Sequence, residues 1–318
     1  MCFFLVVTFE VPRMPEINYS QRQRRIAGWC VVAVGCGLLT TLGTHAFSSF
    51  ALVKDTPQVL DARVSGGSLM IVGGGAVTPE IRRQFVELAG GPRAKIVLIP
   101  GSDPGPDGIQ GLLSPWKASG AASVVLISAR DRETANDPAF CTPLKEATGV
   151  WFGGGYQALL AERYVDTTVQ QCLHDVLKRN GVVGGCSAGA AVLSRVMIRD
   201  GDTIPVEDRG LDLLSNAIVD QHFLARNRLW RLEQMLEAHP SLIGLGIDEA
   251  TALVIHLNTW EMRVVGTSYV VACLPRSPAQ SPRIEILKPG DRVTLSQLRE
   301  DHFAYHPKVD WNVVAGDR

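Results

Sequence analysis

Ser187 has the neighbours that a nucleophile needs. It sits in Gly185-Cys186-Ser187-Ala188-Gly189, behind the apolar run 181–184 and ahead of Ala190, Ala191, Val192 and Leu193. Strand, small-residue turn and helix in that order make a nucleophile elbow, in which a turn too tight for side chains exposes the serine oxygen. The following helix supplies positive potential and a free backbone N–H, that of Ala188, for a developing oxyanion. Cys186 stands one position too early to attack and is expected to pack beneath the turn. A second glycine cluster, Gly153-Gly154-Gly155-Tyr156-Gln157 after Trp151 and Phe152, also ends a strand and opens a helix. Bare amides at Gly154 and Gly155 could complete an oxyanion hole there, although a tight turn without a ligand has the same sequence.

A base and a group of cations lie in Asp220-Gln221-His222-Phe223-Leu224-Ala225-Arg226-Asn227-Arg228-Leu229-Trp230-Arg231. Residues 225–238 have helical character, which places the three arginines in the first turns, where the helix dipole disfavours cations. None has an acid three or four residues further on, so something acidic from outside the helix should offset them. The ordinary alternative is a solvated basic face. His222 beside them points instead to a base next to an anion-binding cluster. Further on, 242–247 is an apolar strand that ends in Asp248-Glu249. A carboxylate at that point could orient a histidine and stabilise its charged form, and spacing does not choose between the two acids. Turn and capping chemistry is the plainer use for such a pair.

These groups need a frame. Short apolar runs at 69–72, 95–100, 123–128, 150–152 and 182–185 end in Gly, Pro, Ser or Cys, as buried strands of a parallel sheet do. The first leads into Gly73-Gly74-Gly75. Helical spacing at 79–88 and 164–179 alternates with these runs. The expected fold class is therefore α/β, with a doubly wound, mostly parallel sheet and a site at the strands' carboxyl ends. Segments 263–265 and 269–274 are β-rich, precede a Pro/Ser loop at 275–282, and read as the far edge of the same domain.

The chain has 318 residues, 46% hydrophobic and 20% charged, with a formal net charge of −1. No whole-molecule field favours nucleic acid or an anionic membrane, so any charge-based recognition must be local. Residues 26–53 contain no Asp, Glu, Lys or Arg and follow Arg22, Arg24 and Arg25. A basic flank, an apolar stretch at 26–43 and small residues at Thr44 and Ala46 read as a signal peptide over 1–46, with Met14 as an alternative start. A retained membrane anchor is the competing reading. Residues 47–66 then form a linker, and 67–318 the folded domain. Cys141, Cys172, Cys186 and Cys273 remain after cleavage; their spacing has no metal-ligand pattern. An exported protein could join Cys141 to Cys172, with buried free thiols as the alternative.

The glycine cluster with Gln157, the elbow, Asp220-Gln221-His222-Phe223 with its spaced arginines, and Gly246-Ile247-Asp248-Glu249 together resemble the ordered motifs of the cyanophycinase family. These are serine peptidases grouped with aspartyl dipeptidases and related to class I glutamine amidotransferases. The resemblance implies a flavodoxin-like three-layer sandwich, with Ser187 as nucleophile, His222 as base and Glu249 as triad acid. It also implies Gln157, Asp220, Gln221, Arg226, Arg228 and Arg231 as substrate-binding residues. The implied substrate is cyanophycin, a polyaspartate chain with an arginine on each side-chain carboxyl, cut to β-Asp-Arg dipeptides without metal or organic cofactor. Substrate carboxylates would meet the arginines, and a substrate guanidinium an acid such as Asp220. Tyr156 departs from the small polar residue expected before the glutamine. The exported N-terminus resembles that of secreted members, and a second copy of the chain is a candidate partner. Three rivals make different demands. An α/β-hydrolase esterase would use Asp248 with His256 or His302. An aspartyl dipeptidase needs fewer arginines, and an exported binder of acidic peptides needs no serine.

Overall fold

The computed structural model describes residues 66–274 and 282–299. The segment 1–46, nearly all of the linker, most of the loop 275–282, and His302 lie outside the described residues. In chain order the first half is β1 (Ser68–Val72), α1 (Pro79–Leu88), β2 (Lys95–Gly101), α2 (Gly105–Lys117), β3 (Ser123–Leu126), α3 (Arg132–Asn136), α4 (Thr142–Glu146), β4 (Gly149–Gly155), α5 (Gln157–Tyr164) and α6 (Thr168–Lys178). Then come β5 (Val182–Cys186), α7 (Ala188–Ala191), β6 (Val196–Asp200), β7 (Val206–Arg209), β8 (Ala217–Gln221), α8 (Leu229–Ala238) and β9 (Ile243–Ile247). The chain continues with β10 (Thr251–His256), β11 (Glu261–Gly266), β12 (Val270–Leu274), β13 (Arg283–Leu287), β14 (Arg292–Thr294) and α9 (Leu295–Arg299).

The larger sheet has the order β14-β11-β10-β1-β5-β4-β2-β3. Its strands from β1 to β3 run parallel, and β10, β11 and β14 add an antiparallel edge. From β1 the chain moves outward to β2 and β3, then returns through β4 and β5. Right-handed crossovers put helices on opposite faces when the direction of travel reverses. Accordingly, Met70 and Val72 of β1 pack in the layer of Ile81 and Phe85 from α1 and Trp116 from α2. Leu69 and Ile71 pack in the layer of Leu160, Leu173 and Ala190 from α5, α6 and α7. This is the doubly wound α/β class read from the residue pattern, with the three layers that the resemblance implied.

A second sheet, β13-β12-β9-β8, was not legible as a separate layer. In it β8 and β9 are parallel and β12 and β13 antiparallel. One face, with Val219, Leu245 and Val270, joins the main core, and the other holds Phe223 and α8 through Leu232, Met235 and Leu236. Segment 269–274 therefore belongs to this sheet, while 263–265 lies in the larger one.

Two helix expectations are corrected. Residues 164–179 form the end of α5 and a separate α6, because Asp166 takes a left-handed φ of 57°. Gln170 Oε1 accepts the Asp166 N–H, and Thr167 Oγ1 donates to the Tyr164 carbonyl, so the break is hydrogen-bonded. The helix expected over 225–238 begins only at Leu229. Asn227 at φ 50° interrupts it, and the Arg228 N–H reaches the Phe223 carbonyl in a wide turn.

Candidate active site

The loops after β1, β4, β5, β8 and β9 meet at the carboxyl ends of both sheets. Each carries one of the sequence motifs. Ser187 follows β5 with φ 54° and ψ −113°, a conformation uncommon for a side chain larger than glycine's. Its N–H is held by the Val72 carbonyl at 3.0 Å. Gly185 and Gly189 must both be bare: a Cβ on Gly185 would lie 2.3 Å from the Gly189 carbonyl oxygen. Cys186 is buried under the turn, and burial, aided by the charge of Glu249, pushes its thiol up to about 12. It is a packed, protonated thiol.

His222 follows β8, also at positive φ (50°), and its N–H donates to the Gly73 carbonyl at 2.6 Å. Its Nε2 lies 2.8 Å from Ser187 Oγ and its Nδ1 2.5 Å from Glu249 Oε1. With the proton on Nδ1, the ring donates to Glu249 and accepts from the serine hydroxyl. The two acids after β9 diverge. Asp248 is fully buried; its Oδ1 accepts the Ala225 N–H at 2.9 Å and its Oδ2 the Ser268 hydroxyl at 2.7 Å. It fastens the turn after His222, whereas Glu249 faces the imidazole. His256, one base of the esterase reading, is 2.9 Å from Ser68 Oγ through Nδ1 and does not contact Ser187.

Gly73-Gly74-Gly75 is the part of the site that the sequence did not assign. Gly73 N–H donates to Thr251, Gly73 carbonyl accepts from His222, and Gly74 carbonyl accepts from Ala250, so the triplet joins the two sheets. At Gly74, with φ 132°, a Cβ would fall 2.2 Å from His222 Cε1. The backbone itself presses on the imidazole face. Three glycines directly after a buried strand were the available signal.

Around Ser187, a Cβ at Gly154 would stand 3.7 Å from the serine Cβ, so that strand end borders the serine side chain. Gly155 takes φ 143° against the Gly101 carbonyl, and Ala188 opens α7. Tyr156 is 70% exposed beside them. Gln157 turns its amide to the carbonyls of Arg199 (2.8 Å) and Ile198 (3.4 Å).

The arginines separate. Arg226 is exposed and lies before the helix. Arg228 and Arg231 are buried. Arg231 Nε donates to Asp220 Oδ2 at 2.9 Å, Nη2 bonds to Oδ1, and Nη1 reaches the Gly201 carbonyl at 2.7 Å. Arg228 Nη1 donates to the Gln221 carbonyl (2.7 Å) and Oε1 (2.8 Å), and Asp220 lies 3.6 Å away. Asp220 is thus the outside acid that the cation run required, and it is fully buried rather than presented to a ligand. Burial pushes its carboxyl up, opposed by both guanidiniums. Burial, reinforced by Arg231, lowers the pKa of Arg228.

Residues 69–262 match the model of Peptidase family S51. The chain is 33% identical over 255 residues to a cyanophycinase of Synechococcus elongatus, covering 73% of this chain and 79% of that protein. It is 33% identical over 242 residues to a cyanophycinase of Trichormus variabilis, covering 69% and 81%. Among solved structures, the crystal structure of a peptidase from an acI-B1 Actinobacterium matches with a TM-score of 0.57 at 25% identity, over 72% of this chain and 97% of that one.

Proposed function

The chain belongs to peptidase family S51, and from that premise we propose that it is a serine exopeptidase that cuts cyanophycin to β-Asp-Arg dipeptides. The observation that carries this reading is the continuous contact from Ser187 Oγ through His222 to Glu249 at the strand ends. His222 takes the serine proton through Nε2 while Glu249 stabilises the imidazolium. Ser187 Oγ attacks the aspartyl carbonyl, and the N–H groups of Gly154, Gly155 and Ala188 receive the negative charge on its oxygen. The tetrahedral intermediate collapses to an acyl-enzyme as His222 returns the proton to the leaving amine. Water, deprotonated by the same histidine, then releases the acid.

The exposed Arg226 meets a substrate carboxylate, while Arg228 and Arg231 with Asp220 and Gln221 form the rigid floor on which the substrate lies. Gln157 ties the oxyanion strand end to β6. The inward position of two arginines favours one second reading, an aspartyl dipeptidase-like activity with fewer cationic contacts. Incubating the protein with purified cyanophycin and identifying products by mass tests the proposal. β-Asp-Arg supports it; an intact polymer alongside cleaved N-terminal aspartyl dipeptides moves the assignment to the second reading. Export rests on the apolar segment 26–43 behind its basic flank. N-terminal sequencing of the mature protein, with a start near residue 47, is the expected result.

A further inference from the structure

Two of the described cysteines touch. Cys141, fully buried, stands at the N-cap of α4, and Cys172 lies on α6, half-buried beside the inward stripe of Val169, Leu173 and Val176. α4 packs on α6, and the two thiols are hydrogen-bonded to each other. Cys141 Sγ also reaches the Ala135 carbonyl at 3.8 Å. Cys172 packs against the core cluster that contains Cys141, whereas Cys186 and Cys273 are buried in two other clusters. Both thiols of the touching pair are free in this structure. A disulfide brings its sulfurs to about 2.05 Å, so thiols already in contact close by a small side-chain rotation. The segment that carries α3 and α4 is tied to the two ends of α6 by hydrogen bonds: Asn136 Oδ1 accepts the Thr168 N–H at 2.9 Å, and Arg179 Nη2 donates to the Leu144 carbonyl at 3.2 Å.

We propose that Cys141 and Cys172 form a disulfide that staples the α3–α4 segment to α6. The step is thiol–disulfide exchange with a small-molecule disulfide as oxidant. Cys172, the accessible partner, attacks one sulfur of the oxidant as its thiolate, makes a mixed disulfide and releases one small thiol. Cys141, as its thiolate, then attacks the Cys172 sulfur; the Cys141–Cys172 bond forms, the mixed disulfide breaks and the second small thiol leaves. Two protein thiols are oxidised, one small disulfide is reduced, and the two protons pass to the released thiols. The bond joins residues 31 positions apart, which restricts the unfolded chain. Such a bond persists in the oxidising surroundings that an exported protein meets, and it does not depend on the substrate assigned to Ser187.

The test starts from the full chain, reduced with a phosphine, freed of reductant and incubated while folded with oxidised glutathione in mildly alkaline buffer. Remaining thiols are then alkylated in denaturant, and the digest is analysed by mass. A peptide pair joined through Cys141 and Cys172 is expected. Recovery of Cys141 in alkylated form, with Cys172 alkylated or carrying glutathione, overturns the proposal, as does a joined pair that forms only in urea. Thermal unfolding reads the staple: the oxidised wild type should melt about 5–10 °C above the reduced protein. Cys172→Ser, a change at the half-buried position, should melt at the same temperature with or without oxidised glutathione. A joined pair with an unchanged midpoint keeps the bond and overturns the staple. An equal rise on oxidation of Cys172→Ser places the gain in other cysteines and overturns the staple as well.

Discussion

At the scale of single residues, the site combines strain with close contact. Ser187 and His222 both stand at positive φ, each a cost of about 1–3 kcal/mol that surrounding hydrogen bonds must hold in place. For Ser187→Ala, cyanophycin hydrolysis should fall by several powers of ten with the fold intact, as circular dichroism and product assays would show. Glu249→Gln keeps the shape but loses the charge opposite His222 Nδ1, so the rate should drop by about four orders of magnitude. Asp248→Asn should instead lower stability more than its share of rate, because Asp248 anchors Ala225 and Ser268. If Asp248→Asn is the variant that abolishes turnover in a stable protein, Glu249 is the wrong acid. Gly74→Ala is a sharper probe. Its Cβ has no room beside the imidazole, so kcat should fall by at least about tenfold through displacement of His222, while KM changes less. A Gly74→Ala enzyme with normal kcat would show that the ring has freedom this packing denies it.

At the scale of elements, the turn between β8 and α8 decides which arginines can meet a ligand. Gly246 of β9 lets Phe223 pack against bare backbone, since a Cβ there would fall 2.5 Å from the ring. That contact seats the residue next to His222. Below it, Asp220 and Arg231 form a buried pair at the start of α8. Removing one partner of a buried pair is far more damaging than the pair's own contribution suggests, because the other charge stays desolvated. Asp220→Asn should therefore cost about 3–5 kcal/mol in urea unfolding. Arg226→Ala should leave unfolding within about 0.5 kcal/mol of wild type and act on KM or kcat alone. Equal stability of Asp220→Asn and wild type would mean that Arg231 finds another acid or water.

At the scale of the whole molecule, buried thiols make stability sensitive to alkaline pH; burial raises Cys141 to about 11, and two others further. Burial pushes Cys186 and Cys273 each from 9.0 up to about 12. Below pH ~9 both thiols are protonated in folded and unfolded chains, so they add no slope. Between about 9 and 12 the unfolded chain releases protons that the folded one retains, and stability falls as pH rises, by at most about 1.4 kcal/mol per pH unit for each thiol. Urea midpoints at pH 8 and pH 10.5 should separate more in wild type than in the Cys186→Ala/Cys273→Ala double variant. Identical separations would show that the thiols ionise within the fold.

What the sequence determined by itself was local. Alternation of apolar runs and helical spacing specified the α/β class, because strand and helix periods are properties of adjacent residues. The elbow around Ser187 and the Asp248-Glu249 pair at the end of an apolar strand were legible for the same reason, whereas β8, the strand that carries His222, was not. Contacts between distant segments were not. Ser187 meets His222 across 35 positions and His222 meets Glu249 across 27, and no spacing rule reaches that far. The choice of Glu249 over Asp248 came from the direction in which each side chain leaves the end of β9. The arginine run read as one anion-binding cluster needing an acid from outside the helix, and only the fold shows that this acid is Asp220 of β8, which pairs with Arg231 and lies beside Arg228. The second sheet and the role of Gly73-Gly74-Gly75 depend on the loop after β8 meeting the loop after β1, where the His222 N–H bonds to the Gly73 carbonyl, a backbone approach that only tertiary packing decides.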